Sequence, residues 1–161
     1  MPAIISPHLD IVTSFGLLHN DQVLISASLD HNMRAWRVPQ APDEEMDLLK
    51  NLSIDKAHSA QINVVESSQD GLELYSGSRD GVVNIWSLQT GASDDDTDLL
   101  NLSLVQSGQI QAQGSSVTAI ASVSPSSTCH GKMVIYGGTD KALRIYRDRD
   151  LDQPEQEDDL Q

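Results

Sequence analysis

The sequence holds one cysteine, Cys129, among its 161 residues. A lone thiol excludes an internal disulfide framework and a cysteine-rich metal site. It suits a reducing compartment, which places the protein in the cytoplasm, the nucleus or both. Aromatic residues make up only 4% of the chain, so its core must be mostly aliphatic. Long apolar runs are missing as well. None approaches the roughly 20 residues a membrane helix needs, so no membrane partner is expected. The start, Met1 to Ser6, has neither the basic region nor the long apolar region of a secretory signal. No sustained 3.6-residue apolar period occurs, which predicts little helix.

Basic residues are also few: ten Lys and Arg stand against 24 Asp and Glu, a formal net charge of -14. The acids are unevenly spread. Fifteen of the 24 lie between Asp43 and Asp47, between Asp94 and Asp98, and between Asp148 and Asp159. The remaining nine nearly balance the ten basic residues, so the folded body is close to neutral. The runs read as solvated loops, and residues 148–161 as an acidic disordered tail. Such acids repel a phosphate backbone, which argues against direct nucleic-acid binding. They are compatible with a basic partner such as a histone-like tail. Against this, an apolar fraction of 39% and a mass of 17.5 kDa suffice for one ordinary domain with a buried core.

The most informative feature is internal repetition. Residues 23–36, 73–86 and 133–146 align, each with an Asp followed six residues later by an aromatic: Asp30 and Trp36, Asp80 and Trp86, Asp140 and Tyr146. His8 precedes Asp30 by 22 residues, and His58 precedes Asp80 by the same 22. Each unit reads as strands: an apolar-rich run (Ile11 to Phe15, Ile62 to Val65, Val117 to Val123), a turn, a short strand ending in small residues, and an Asp-bearing turn into a third, alternating strand. Outer strands fit Leu48 to Ile54 and Leu99 to Val105, which share an Asp-Leu-Leu start and an Asn-Leu-Ser core.

This pattern resembles the WD-repeat (WD40) family from His8 to about Arg147. The middle unit carries it best: His58, Ile62-Asn63-Val64-Val65, Gln69-Asp70-Gly71, Ser76-Gly77-Ser78-Arg79-Asp80-Gly81 and Ile85-Trp86. The resemblance implies an all-β fold of four-stranded antiparallel blades, here three, as an incomplete or partial β-propeller. The blade units fall at about 8–55, 58–105 and 113–147 within a WD-repeat region over 1–147. Residues 3–6 are a possible closing outer strand for the last blade. The resemblance also implies a hydrogen-bonded brace in each blade: His8, Ser26 or Ser28, Asp30 and Trp36 in the first; His58, Ser76 or Ser78, Asp80 and Trp86 in the second. The third unit departs from the pattern. Gln113 and Gly114 stand near the His position, Tyr136 and Gly138 replace the serines, and Tyr146 replaces the Trp, so that only Asp140 remains to serve the turn.

A catalytic reading of the Ser, His and Asp residues fails because the set recurs in successive units, as a brace should, and a Trp caps it. His8, His19, His31, His58 and His130 show no metal-ligand spacing. No enzyme activity, metal or cofactor is expected. Ser93, before three aspartates, fits an acidophilic kinase site. Asn51 and Asn101 head glycosylation sequons that the repeat itself explains.

Three blades are fewer than a closed propeller uses, since the known range begins at about four. The missing blades are expected from a larger propeller, of which this chain would be a part, or from a second copy of the chain; a short, marginally folded form is the remaining reading. The expected function is a non-enzymatic scaffold or adaptor that mediates protein–protein contacts within a complex. The alternatives are a substrate-recognition subunit of a ubiquitin-ligase-type complex and a reader of a basic peptide. By resemblance, the contact face lies near Leu29, Arg79 and Thr139 in the second-to-third-strand turns, and near Asp10, Gln61 and Ser116 at the inner-strand entries.

Overall fold

A computed structural model describes residues 7–91, 99–125 and 131–147. The closing strand expected at 3–6, the acids at 94–98, Ser93, Cys129, His130 and the tail 148–161 lie outside the described residues. Eleven strands form three antiparallel sheets among the described residues. The first sheet holds β1 (Val12–Leu18), β2 (Val23–Ser28), β3 (Met33–Arg37) and β4 (Asp47–Ile54) in that order. The second holds β5 (Ile62–Ser67), β6 (Glu73–Ser78), β7 (Val82–Thr90) and β8 (Leu102–Gln111). The third has three strands among the described residues: β9 (Val117–Val123), β10 (Met133–Gly138) and β11 (Leu143–Arg147).

These are meandering blades set side by side, with β1 against β5 and β5 against β9. Each strand alternates because its two faces meet different neighbours. On the first blade, Leu18, Val23, Ile25, Ala27, Met33 and Ala35 turn to the second and are fully or almost fully buried. Val65, Leu74 and Trp86 of the second blade meet them. The second junction joins Tyr75 and Val83 to Val117, Val134 and Tyr136. Small residues allow these close approaches. A Cβ on Gly77 would stand 2.5 Å from Val117 Cγ1, and one on Gly16 would stand 2.8 Å from Leu74 Cδ1.

Polar ties cross the same junctions. Thr13 Oγ1 donates to the Ile62 carbonyl at 2.8 Å, and Asn63 Nδ2 to the Val117 carbonyl at 2.7 Å. Asn51, which heads a sequon, donates its amide to the carbonyls of Leu99 and Leu102. It thereby ties β4 to the short 3-10 turn Leu99–Asn101 that opens β8. The second outer strand differs from its expected extent of Leu99 to Val105: it begins at Leu102 and runs on to Gln111. Its polar second half pairs residue by residue with β7, Ile110 opposite Val83 and Gln109 opposite Asn84. Polar side chains there face solvent on an outer edge while the ladder bonds continue.

Candidate functional site: the edge bearing the β2–β3 turns

Two blades carry the same brace residues; the His–Asp contact is a hydrogen bond in the first blade, whereas in the second it is an approach that falls short of hydrogen-bond geometry. In the second, His58 Nδ1 faces Asp80 Oδ2 at 3.4 Å, and its Nε2 lies 2.7 Å from Ser76 Oγ. Trp86 Nε1 donates to that same hydroxyl at 2.8 Å. A carboxylate only accepts, which puts the imidazole proton on Nδ1 and leaves Nε2 to accept from Ser76. The serine hydroxyl therefore accepts from the indole and donates to the imidazole. In the first blade the distances are 3.1 Å from His8 Nδ1 to Asp30 Oδ2, 2.8 Å from Nε2 to Ser26 Oγ and 2.9 Å from Trp36 Nε1 to Ser26 Oγ.

Of the serines considered at each blade, Ser26 and Ser76 stand between His and Trp. Ser28 and Ser78 have a different task. Their hydroxyls accept the Asp30 and Asp80 amides at 3.1 and 3.2 Å and so shape the turn. The same aspartates also accept from the amides two residues on, Asn32 and Val82, each at 3.0 Å. Such local bonds stabilise a turn in place of a ladder. The residue after the Asp adopts positive φ in all three blades: His31 at 71°, Gly81 at 80° and Lys141 at 64°.

The third blade closes its turn by other means. Gly138 offers no hydroxyl, and Ser115 supplies one from the strand entry. Ser115 Oγ accepts the Asp140 amide at 3.2 Å and sits 2.5 Å from where a Cβ on Gly138 would be. In place of an imidazole, the guanidinium of Arg144, four residues on, pairs with Asp140. The repeat register did not point to Ser115 or Arg144, and both are needed to describe this turn.

The carboxyl groups respond to these partners. Burial alone would raise Asp80, but the Ser59 hydroxyl, the His58 ring and the Val82 amide hold it below its ordinary value. Burial likewise opposes the shift at Asp30, where the Leu9 and Asn32 amides and His8 prevail and lower it. Asp140 is lowered to about 2, first by its bond from Arg144 and then by the Ala142 amide. Burial pushes His58 down and outweighs the pull of Asp80, which leaves the ring neutral.

Above these braces lies one edge of the three blades. The backbone amide of Leu29 donates to the Ile11 carbonyl at 3.0 Å, that of Arg79 to Gln61 at 2.9 Å and that of Thr139 to Ser116 at 3.0 Å. Each bond joins a β2–β3-type turn to the entry of the inner strand of its own blade. Of the six residues expected at a contact face, Gln61 and Arg79, and Ser116 and Thr139, form two equivalent bonded pairs on that edge; in the first blade the bonded partner of Leu29 is Ile11, and the expected Asp10 stands one residue before it. Asp10, Arg79 and Thr139 are exposed, and the other three are half-buried. Arg79 reaches toward Gln61 Oε1 at 3.4 Å. Between the first two blades the edge opens into a groove of about 790 Å³, lined by Asp10, Leu29, His31, Lys56 and Ser59 among others. Leu9 and Ile11 lie exposed at this edge.

The acids Asp43, Glu44, Glu45 and Asp47 occupy the β3–β4 connection and the first residue of β4. That connection leaves β3 at the end opposite its Asp turn, so these acids do not converge on the groove. Among the described residues, no three His, Cys, Asp or Glu side chains are placed to hold a metal ion.

Comparison with known proteins agrees with this geometry. Residues 49–87 match the family model "WD domain, G-beta repeat". Protein HIR1 of Kluyveromyces lactis is 32% identical over 83 residues, covering 46% of this chain and 10% of that protein. A subunit of chromatin assembly factor 1 from Gallus gallus is 37% identical over 67 residues, 40% of this chain and 11% of that protein. Striatin of Rattus norvegicus is 29% identical over 87 residues, 50% of this chain and 11% of that protein. The chain thus spans about a tenth of the length of these relatives. The repeating antiparallel blades, the two His–Ser–Trp braces and the matched segment 49–87 together support a WD-repeat family for this chain.

Proposed function

We propose that the chain is a non-enzymatic scaffold or adaptor that takes up a protein partner on the edge bearing the β2–β3 turns. The observation that carries this reading is the threefold pairing of turn and strand entry, which presents Ile11 and Leu29, Gln61 and Arg79, Ser116 and Thr139 side by side, with Asp10 next to Ile11. A binding surface needs side chains held in fixed relation, and here each pair rests on a backbone bond above a braced or ion-paired turn. The edge mixes an exposed guanidinium with the exposed apolar side chains of Leu9 and Ile11. Arginine and apolar groups together favour a protein partner, with Arg79 as the anchoring contact.

The Gallus gallus relative is a subunit of a chromatin assembly factor. This supports a role within a multiprotein assembly and the nucleus as one compartment; the lone cysteine suits the nucleus and the cytoplasm alike.

The test is affinity capture with three forms of the chain: unchanged, Leu29→Ala with Arg79→Ala, and Ser103→Ala on the outer strand. The proposal expects specific proteins to be recovered with the unchanged and Ser103→Ala forms and lost with the double variant. Recovery of the same proteins by all three forms would place the contact elsewhere.

A further inference from the structure

The blades share one backbone plan at the edge of the β2–β3 turns, but not one chemistry. The amide of Leu29 donates to the Ile11 carbonyl as that of Arg79 donates to Gln61, so these positions are equivalent. One further equivalence follows the brace histidines. Asp30 Oδ2 accepts the Leu9 amide at 2.9 Å, and Asp80 Oδ2 accepts the Ser59 amide at 3.2 Å. The first blade thus places Leu9, Ile11 and Leu29 where the second places Ser59, Gln61 and Arg79. Core packing does not call for the apolar set: Leu9 is 92% and Ile11 66% exposed. Ser59 is exposed as well, although a blade precedes its own, so exposure belongs to this position of the edge.

The groove between these two blades therefore has unlike walls. Leu9 and Leu29 line it from the first blade, and Lys56 and Ser59 from the second. Arg79 stands on the second wall beside Asp80, whose Oδ2 accepts the Ser59 hydroxyl at 2.9 Å. Among the described residues, neither Lys56 nor Arg79 makes an ion pair. The acids of this edge are already engaged. Asp30 and Asp80 serve turn amides and the brace histidines, and Asp55 pairs with Arg34. Asp10 accepts the Ile11 amide at 2.7 Å, which folds its carboxylate back on its own strand.

We infer that the partner segment taken up here carries apolar side chains next to a carboxylate, the apolar groups covering Leu9, Ile11 and Leu29 and the carboxylate meeting Lys56 and Arg79. This rests on the proposal that the edge is a partner surface, and adds the chemistry of the partner. Covering exposed leucine and isoleucine is favourable in proportion to the area taken from water. A guanidinium pairs with a carboxylate through two parallel bonds, which fixes direction as well as charge. The apolar wall supplies affinity, and the cationic wall selects against basic segments. A basic peptide would need free acids in the groove, and the cluster from Asp43 to Asp47 lies at the other end of β3.

The experiment selects short random peptides, displayed on phage, on the 161-residue chain and measures the enriched peptides against variants. Leu9→Ser with Ile11→Gln gives the first blade the residues that the second uses at those positions. Lys56→Glu with Arg79→Glu reverses the cationic wall, and Ser103→Ala on the outer strand is the control. The four edge side chains are exposed, and circular dichroism establishes that each variant keeps its β-structure. The inference predicts enriched peptides with Leu, Ile or Phe beside Asp or Glu. Either edge pair should weaken their binding about tenfold or more, and Ser103→Ala should leave it unchanged. Enriched peptides without an acid, or weakened by only one of the two pairs, would overturn the inference; if Leu29→Ala with Arg79→Ala still abolishes their binding, the partner edge itself stands. Peptides that bind every variant alike would overturn both, and a selection that enriches nothing would overturn the inference.

Discussion

Trp86 Nε1 donates to Ser76 Oγ at 2.8 Å, and the same hydroxyl lies 2.7 Å from His58 Nε2. One small side chain thus satisfies two larger buried ones. Replacing Ser76 by Ala leaves an indole N–H and an imidazole nitrogen in the interior without this partner. Unsatisfied buried polar groups of this kind cost about 1–3 kcal/mol each. Ser76→Ala should therefore lower unfolding free energy by roughly 2–4 kcal/mol. Ser78→Ala, which loses the bond to the Asp80 amide, should cost about 1 kcal/mol. Urea denaturation of the two variants tests the order; equal losses would contradict it.

The neutral, buried His58 makes stability depend on pH. Its folded pKa lies below the ordinary 6.5, so the unfolded chain takes up a proton more readily. Stability from this group is full above pH 6.5 and is lost as pH falls through the lower folded value. Asp30, Asp80 and Asp140 are lowered from 3.8 and add a second loss at more acid pH. Unfolding free energy should be flat near neutrality, decline below about pH 6.5 and decline further below about pH 4. His58→Gln should abolish the first decline and keep the second. A first decline that persists in this variant would assign it to another group.

At the third turn the dominant contact is the ion pair of Asp140 with Arg144. Asp140 titrates at about 2 because of it. In Arg144→Gln the carboxyl should move toward its ordinary 3.8, read from the carboxyl carbon shift by nuclear magnetic resonance. Little movement would mean that the Ala142 amide and the Ser115 hydroxyl set the value.

Lys141 adopts φ of 64° where the second blade has Gly81 at 80°. A side chain in the left-handed region costs about 1–2 kcal/mol, and glycine avoids this. The greater freedom of glycine in the unfolded chain offsets part of the gain. Lys141→Gly should raise stability by about 0.5–1 kcal/mol, measured by thermal or urea unfolding. A loss would show that the lysine side chain makes a stabilising contact.

The repeated features were the legible ones. The six-residue interval from Asp to aromatic placed the three turns, and the 22-residue interval from His to Asp placed the braces of the first two blades, since both distances are set by strand and turn lengths that recur. The choice between Ser26 and Ser28, or Ser76 and Ser78, was not readable. Both serines of each pair point to one side of the strand, and only the register with Trp36 or Trp86 separates them. Ser115 and Arg144 were missed for a different reason. They restore a turn whose repeat residues are absent, from positions 25 residues before and four residues after Asp140, and no periodic pattern marks such a substitution. The length of β8 was missed because its second half is polar: an exposed edge strand is held by ladder bonds, which leave no trace in hydropathy.

The most direct test of the partner edge is site-specific photocrosslinking with a photoreactive amino acid at position 59, 79 or 139, and at positions 103 and 109 on the outer strand as controls. The account predicts adducts to the same partner protein from 59, 79 and 139, and none from 103 or 109. Adducts confined to the outer-strand positions would contradict it and move the interaction surface to the rim.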